Sequence, residues 1–202
     1  ADEHGILLIL DEVMAGFGRT GEWFALDAYG VRPDLIAFAK GVNSGYVPVG
    51  GVVMSDDVAR TFDDRVFPGG LTYSGHPLAA ASIVAALDAM AEEGIVENAK
   101  TIGTDVLAPA LAELADAHAV LGEARGTGVF WALELVADRD TREPLPGSEL
   151  AFAKSELLQR GLLPFAVDNR IHVVPPCVVT ADEVAQAIGI YDEVLTLLDE
   201  RL

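Results

Sequence analysis

Two charged residues stand at the ends of short apolar segments, where a side chain can do chemistry. Asp11 follows the apolar run "GILLIL", and Lys40 ends the run "DLIAFAK". Both runs are typical of strands buried on both faces of a parallel sheet. Ligands of open α/β sheets bind at the carboxyl ends of the strands. A carboxylate there can bind a metal, act as a base, pair with a cation or cap a turn, and a lysine there can also be an ordinary solvated residue.

Taken together, Asp11 and Lys40 indicate a narrower chemistry. If their strands are neighbours, the two side chains enter one crevice. A lysine among apolar residues and glycines loses hydration and presents a neutral amine, which Schiff-base chemistry requires. Pyridoxal phosphate needs both groups, because a lysine binds its aldehyde and a carboxylate binds its pyridine nitrogen.

The strands and helices predicted around these residues indicate an α/β fold class. Strands are expected at residues 5–10, 34–40 and 49–55, and a helix runs from Pro77 to Gly94. A second helix is expected at 96–118. Antiparallel strands are then expected within 120–136 and 162–176, a helix at 150–159, and a last helix after the capping box of Thr180 and Glu183. We therefore predict two domains, residues 1–95 and residues 96–202, the second a connecting helix with a small α+β domain.

Composition excludes several classes of partner. The net charge of −19 argues against nucleic acids and anionic membranes, which both need a basic face. No apolar run reaches the roughly 18 residues of a membrane span, and no signal peptide is visible. The single Cys177 is compatible with a reducing cytoplasm, where we expect the protein. The histidines lack metal-ligand spacing, so no metal site is predicted, and the first residue is not Met, so we expect a piece of a longer protein.

Several segments in order resemble one enzyme family. They are "LLILDEVMAGFGRTGEWFA", "VRPDLIAFAKGVNSGYVPVGG", "GGLTYSGHPLAAA", "ARGTGVFWALELV" and "RIHVVPPCVVT". This series resembles the class III aminotransferases, which are fold-type I enzymes that depend on pyridoxal phosphate. The resemblance covers essentially the whole chain. It implies the C-terminal part of the large pyridoxal-phosphate-binding domain at residues 1–95, followed by the small C-terminal domain.

The resemblance also implies roles for four residues. Asp11 would keep the pyridine nitrogen protonated, and Val13 would pack against a face of the ring. Lys40 would form the internal aldimine and then act as general base and acid. Thr72 would reach the cofactor phosphate of the partner subunit in a homodimer, since a hydroxyl and an N–H group in a Gly-rich loop suit a phosphate.

Two positions depart from the family pattern. Many relatives bind a substrate carboxylate with an arginine three residues before the "PP", where this chain has His172. Others use a mobile arginine about ten residues before it, where this chain has Phe165. Neither side chain reproduces the bidentate geometry of arginine. The family's Gly-Ser/Ala phosphate loop and ring-stacking aromatic lie N-terminal to the Asp and are not in this sequence.

The resulting prediction is an aminotransferase that moves an amino group from an amine or ω-amino acid to a keto acid, pyruvate or 2-oxoglutarate. The same Asp, Lys and Thr would also serve an epimerase, an aminomutase or a decarboxylase of this fold. A third hypothesis is an inactive fragment or a non-catalytic interaction module. The joint presence of Asp11, Lys40 and Thr72 argues against that hypothesis, because a module has no use for the trio.

Overall fold

The chain divides into two compact units, Ala1–Glu97 and Asn98–Leu202. The structure is a computed structural model that describes all of residues 1–202. Each unit encloses its own cluster of buried apolar side chains. No helix is both long enough and apolar enough to cross a membrane.

The first unit contains a three-stranded sheet whose order follows the chain. Its strands are β1 (Ile9–Asp11), β2 (Leu35–Phe38) and β3 (Gly51–Met54). β1 runs parallel to β2, with Asp11 opposite Ala37, and β3 runs antiparallel to β2. The expectation that the strands of Asp11 and Lys40 are neighbours is therefore confirmed.

The first strand is shorter than the sequence predicts and begins later. Residues Asp2–His4 form a 3₁₀ turn that ends at Gly5, whose φ of 62° lies in the left-handed region. The amide of Leu8 donates to the carboxylate of Asp34 at 2.8 Å. A side chain thus takes the amide of Leu8 directly before the first residue of the strand, Ile9.

Burial in this sheet also differs from the prediction. The strands were expected to be buried on both faces, yet several apolar side chains on and before β1 and β3 are exposed by more than half: Ile6, Leu7, Ile9, Val52 and Val53. An apolar run is necessary for burial on both faces, but it cannot supply the layer that covers the second face.

Three helices complete the first unit: α1 (Ala25–Tyr29), α2 (Asp56–Arg60) and α3 (Pro77–Glu92). His76 precedes α3, and its Nδ1 accepts the amide hydrogen of Leu78 at 3.2 Å. The core of the unit is built on Phe17, Val42, Met90 and Val96.

A long helical run contains a segment that the sequence did not predict. It consists of α4 (Ile95–Thr101), a π-helical segment (Ile102–Leu107) and α5 (Ala108–Ala117). The prediction of helix at 96–118 is therefore confirmed in outline, with a wider turn in its middle. A Cβ atom at Gly103 would lie 2.4 Å from the carbonyl oxygen of Gly128. The wide turn thus sits with its backbone directly against the loop at Gly128.

The second unit is an antiparallel sheet packed with helices. The sheet has the order β4 (Leu121–Thr127), β5 (Phe130–Asp138), β8 (Arg170–Val173), β7 (Phe165–Val167), and the short β6 (Glu143–Pro144) pairs with β5. Its later helices are α6 (Gly147–Gln159) and α7 (Ala181–Asp199). Leu133, Leu157 and Leu198 are fully buried where β5, α6 and α7 meet in one core. The predicted antiparallel strand pairs and the α+β pattern are confirmed.

Two polar features fix α7. Thr180 and Glu183 form the predicted capping box: Glu183 N donates to Thr180 Oγ1 at 3.3 Å, and the Glu183 carboxylate accepts from Thr180 N at 2.8 Å. The hydrogen bond from Thr180 N, with a second one from Thr180 Oγ1 at 2.9 Å, holds the pKa of the Glu183 carboxyl below its usual value. The buried ring of His118, just after α5, lies between Asp192 and Asp199, with nitrogen–oxygen distances of 3.0 and 2.8 Å. His118 thereby ties the end of α5 to α7.

Candidate active site

The parallel pairing of β1 and β2 brings the two predicted chemical residues to one edge of the first sheet. Asp11 is the last residue of β1. Lys40 stands two residues beyond the end of β2 and opens a short 3₁₀ turn, Lys40–Asn43. Because the strands are parallel, both residues lie at the carboxyl edge. Asp11 and Lys40 thus share one edge of the sheet, which a common crevice would require.

Asp11 is held by the residue that follows its strand. Its Oδ1 accepts the amide hydrogen of Val13 at 3.0 Å, and its side chain is exposed. Such a bond fixes the direction of the carboxylate. Val13 is itself half-buried. Val13 therefore lies directly beside the Asp11 carboxylate.

Lys40 has an unusual backbone for a residue with a side chain. Its φ is 44°, in the left-handed region that costs a non-glycine residue about 1 kcal/mol or more. Its Nζ donates to Sδ of Met14 at 2.8 Å. Strain of this kind persists only where the surroundings impose it, which makes this turn a candidate for function. Within this chain the lysine is exposed, so the predicted loss of hydration is not found.

Gly41 explains how the turn after Lys40 can form. A Cβ atom at position 41 would lie 2.9 Å from the Cβ atom of Phe17. Phe17 is buried, and its ring meets the rings of Phe24 and Phe38 edge-on at centroid distances of 5.1 and 6.0 Å. A glycine is therefore required where the turn crosses this aromatic cluster.

Glu12 is a site residue whose contacts the sequence did not reveal. It is only 2% exposed, and its carboxylate accepts the amide hydrogens of Ala25 and Leu26 at 3.0 and 2.9 Å. These donors belong to the first turn of α1. The partners of Glu12 are backbone groups, which leave no side-chain pattern in the sequence. The only available signal was a second acid directly after the strand-end Asp11.

Thr72 lies on a separate, exposed turn. The amide of Ser74 closes this turn onto the carbonyl oxygen of Leu71 at 3.0 Å, and Thr72, Leu71 and Tyr73 are all exposed. The structure thus brings Asp11, Val13 and Lys40 to one sheet edge and presents Thr72 outward.

Phe165 and His172, the two departures noted in the sequence, are partners in the second unit. They face each other across β7 and β8, with ring centroids 5.2 Å apart. Both line a mainly apolar cavity of about 340 Å³ that also includes Pro175 and Pro176. The nearby Arg170 is engaged by Asp168 at 2.8 Å. The lining of this cavity contains no arginine or lysine.

Comparison with known proteins gives consistent likenesses. The family model for class III aminotransferases matches residues 1–195. The putrescine–pyruvate aminotransferase of Pseudomonas aeruginosa is 40% identical in an alignment 197 positions long that covers 96% of this chain and 41% of that protein. The mitochondrial gamma-aminobutyrate transaminase 1 of Oryza sativa subsp. indica is 33% identical in an alignment 210 positions long that covers 99% of this chain and 40% of that protein.

Two solved structures match almost the whole chain. One is the taurine:2-oxoglutarate aminotransferase of Bifidobacterium kashiwanohense in complex with PLP and glutamate, with a TM-score of 0.94 and 42% identity over 100% of this chain and 46% of that one. The other is an (S)-enantioselective omega-transaminase of Thermomicrobium roseum, with a TM-score of 0.89 and 39% identity over 98% and 44%. The chain therefore spans less than half the length of the proteins it matches.

Proposed function

Because this chain belongs to the class III aminotransferase family, we propose that the full-length protein is an aminotransferase that uses pyridoxal phosphate. The family match and the structural likeness confirm the predicted family and fold class. The amino donor is an amine or an ω-amino acid, and the acceptor is a keto acid, pyruvate or 2-oxoglutarate. The observation that carries the proposal is the parallel pairing of β1 and β2, which puts Asp11 and Lys40 at one carboxyl edge.

The residues at this edge fit the chemistry of the cofactor. Pyridoxal phosphate presents an aldehyde, a pyridine nitrogen and an aromatic face, and the edge offers an amine, a carboxylate and an apolar side chain: Lys40, Asp11 and Val13. The backbone of Lys40 is in the left-handed region, and a glycine is required directly after it. Local strain of this kind is typical of functional sites. When bound, the cofactor supplies an electron sink for the electrons left at a substrate carbon.

Lys40 does the proton work in this proposal. Its Nζ would bind the aldehyde of the cofactor covalently. With the donor amine in that place instead, Nζ would be a free amine beside the donor carbon that bears the nitrogen. It would take a proton from that carbon and return one to the carbon on the far side of the nitrogen, as general base and then general acid.

Asp11 supports this chemistry electrostatically. Its carboxylate keeps a proton on the pyridine nitrogen, since an opposite charge at hydrogen-bond distance favours the charged form of a titratable group. The bond from Val13 N to Oδ1 directs the carboxylate. Val13 then serves twice, with its amide on Asp11 and its side chain against the ring.

Thr72 is proposed to serve a second subunit. Its turn is exposed together with the apolar Leu71 and Tyr73, each about 80% exposed. Exposed apolar residues around a hydroxyl suit a protein interface with a polar centre. We therefore propose a homodimer in which Thr72 binds the phosphate of the partner's cofactor. In the same scheme, the first unit is the C-terminal part of the large cofactor-binding domain, the second is the small domain, and the single Cys177 suits the reducing cytoplasm.

The donor class follows from the relatives and from the departures. Putrescine, taurine and gamma-aminobutyrate, named for the relatives, all carry the amine on a CH₂ group rather than beside a carboxylate. This chain has no arginine at either position that the family pattern associates with a substrate carboxylate, and Phe165 and His172 pack together instead. Both observations favour donors without an α-carboxylate.

Trapping with borohydride in the full-length protein tests the proposal. Reduction should fix the cofactor on the peptide that contains Lys40. Lys40→Ala should abolish the visible absorption band of the bound cofactor and reduce transfer from amines to pyruvate or 2-oxoglutarate by at least about 10³-fold. Lys154→Ala, which changes an exposed lysine of the second unit, is the matched control and should leave both unchanged. A Lys40→Ala protein that keeps the band and turns over would refute the assignment, and labelled cofactor without transfer in any donor–acceptor pair would refute the aminotransferase reaction.

A further inference from the structure

We infer that Glu12 is a positioning residue for Lys40: its buried carboxylate anchors the loop of residues 13–24, and this loop fixes the backbone and the amine of Lys40. The inference rests on the function proposed above. It concerns a residue that is one position from Asp11 in sequence but acts through a different set of contacts. Glu12 is not placed against substrate or cofactor.

The anchor is a pair of charge-assisted hydrogen bonds in a buried place. Glu12 is 2% exposed, and its two oxygens accept from Ala25 N at 3.0 Å and from Leu26 N at 2.9 Å. A buried carboxylate is costly unless its oxygens are hydrogen-bonded. The two amides meet this requirement, so the carboxylate and the start of α1 hold each other in place.

The start of α1 needs such an acceptor. The first amides of a helix have no partner within the helix, and a Ser, Thr, Asp or Asn at the N-cap normally accepts one of them. The N-cap of α1 is Phe24, whose ring has no acceptor oxygen. Glu12, which is distant in sequence, takes over that role, and its negative charge is favoured at a helix N-terminus.

The main chain of Glu12 holds the other end of the loop. Its amide donates to Ala37 O on β2 at 2.8 Å, and its carbonyl oxygen accepts from Gly16 N at 2.9 Å. Across the loop, Phe17 N donates to Trp23 O at 2.6 Å. One residue therefore ties the loop to the strand that leads to Lys40 and to the helix that follows the loop.

Two contacts carry this constraint from the loop to Lys40. Phe17 packs so closely that a Cβ atom at Gly41 would lie 2.9 Å from the Phe17 Cβ atom, which confines the residue after the lysine. Met14 Sδ accepts from Lys40 Nζ at 2.8 Å, which directs the amine. Since Lys40 has the strained φ of 44°, its turn depends on neighbours that do not move.

Glu12→Gln in the full-length protein is the primary test. The amide keeps the shape but offers one acceptor and one donor, so one of the two helix amides faces a donor group. We expect faster hydrogen exchange of the cofactor-free protein in the peptides that cover residues 13–26. We also expect a shifted absorption maximum of the bound cofactor and a fall in kcat of up to about 100-fold with KM changing much less. Glu92→Gln, at an exposed position of α3, is the matched control and should behave as wild type.

Ala25→Pro removes the hydrogen bond between Ala25 N and Glu12 by changing the donor instead of the acceptor. Proline is well tolerated at the first position of a helix, and the extended conformation of Phe24, with φ −134° and ψ 146°, suits a residue before proline. The ring replaces the amide hydrogen and displaces the Glu12 carboxylate. This variant should reproduce the spectral shift and the loss of kcat, and it decides the question if Glu12→Gln does not fold.

The outcomes separate the two proposals. Faster exchange in either folded variant with wild-type spectrum and kcat would make Glu12 a purely structural cap and overturn this inference. Unchanged exchange would overturn it as well. A wild-type protein that neither takes up the cofactor on Lys40 nor transfers amino groups would instead overturn the proposed function.

Discussion

Tyr191 is the residue whose environment most changes its ionisation. It lies on α7 with 3% of its surface exposed, inside the apolar core of the second unit. Burial raises the pKa of its phenol well above the ordinary value of 10.0. The other three tyrosines, Tyr29, Tyr46 and Tyr73, are 72–85% exposed. Tyr191 is thus the one tyrosine whose ionisation is coupled to the folding of the protein.

This burial predicts a specific loss of stability in alkali. A group whose pKa is raised by folding contributes stability that is complete below the unfolded-state pKa and is lost as the pH rises through the folded-state pKa. The free energy of unfolding should therefore fall by about 1.4 kcal/mol for each pH unit above about 10. Denaturant titrations of the full-length protein at several alkaline pH values, with phenolate absorbance as a second signal, measure this effect.

Tyr191→Phe is the decisive variant, because it keeps the ring and removes the proton. It should abolish that part of the alkaline loss, whereas Tyr73→Phe, at an exposed position, should not. Equal slopes in the wild type and in Tyr191→Phe would contradict the prediction and would mean that other groups dominate the alkaline transition.

Some features of the candidate site residues can be predicted from the sequence, and others cannot. The placement of Asp11 and Lys40 at one sheet edge was predictable, because the ends of parallel strands are a general ligand position and because these side chains differ from the apolar runs before them. The contacts of Glu12 were not, since it binds amides 13 and 14 residues further along the chain. The positive φ of Lys40 was also hidden, as was the close approach of Phe17 to Gly41, because Phe17 is distant from this turn in sequence.

At the scale of elements, replacing glycine by alanine in two helical segments should change the stability of the protein in opposite directions. Gly103 lies in the π-helical segment, where an added Cβ atom would lie 2.4 Å from Gly128 O. At Gly189 in α7, an added Cβ atom would meet no other part of the protein within 4 Å. Gly103→Ala should destabilise the protein by about 1–3 kcal/mol or more through overpacking. Gly189→Ala should stabilise it by up to about 1 kcal/mol, because alanine has the better helix propensity.

Thermal or denaturant unfolding of the two variants compares them directly. Since the chemical change is identical, the difference between them isolates the close backbone approach at Gly128. A Gly103→Ala protein as stable as wild type would show that the π-helical segment can shift to make room, and that the close approach is not required.

Element boundaries were predictable where local signals decide them and not where distant groups do. The capping box at Thr180 set the start of α7 from sequence alone. The later start of β1 goes with a contact of Asp34, the residue just before β2, whose side chain accepts from the amide of Leu8. The π-helical turn likewise depends on Gly128, which is far from it in sequence. The periodicity of apolar residues along the chain does not depend on either contact, so it could not predict them.

At the scale of the whole molecule, the two units differ in how much of their apolar surface they bury. The second unit has an extensive core in which side chains from α5, β5, α6 and α7 are fully buried. The apolar cluster of the first unit has only four buried members, and the unit leaves these residues exposed: Ile6, Leu7, Ile9, Val52 and Val53. Hydrophobic stabilisation scales with the apolar area removed from water, so autonomous stability should lie mainly in the second unit.

Expression of the two parts separately tests this asymmetry. Residues 94–202, a length that keeps α4 whole, should unfold in one cooperative transition with a stability of roughly 5–10 kcal/mol. Within that part, Leu133→Ala at a fully buried position should cost about 2–5 kcal/mol. Residues 1–93 should bind a hydrophobic dye such as ANS and show no cooperative transition, because their exposed sheet face lacks a covering layer. Cooperative unfolding of residues 1–93 alone, or its absence in residues 94–202, would show that burial within each unit does not decide which part folds by itself.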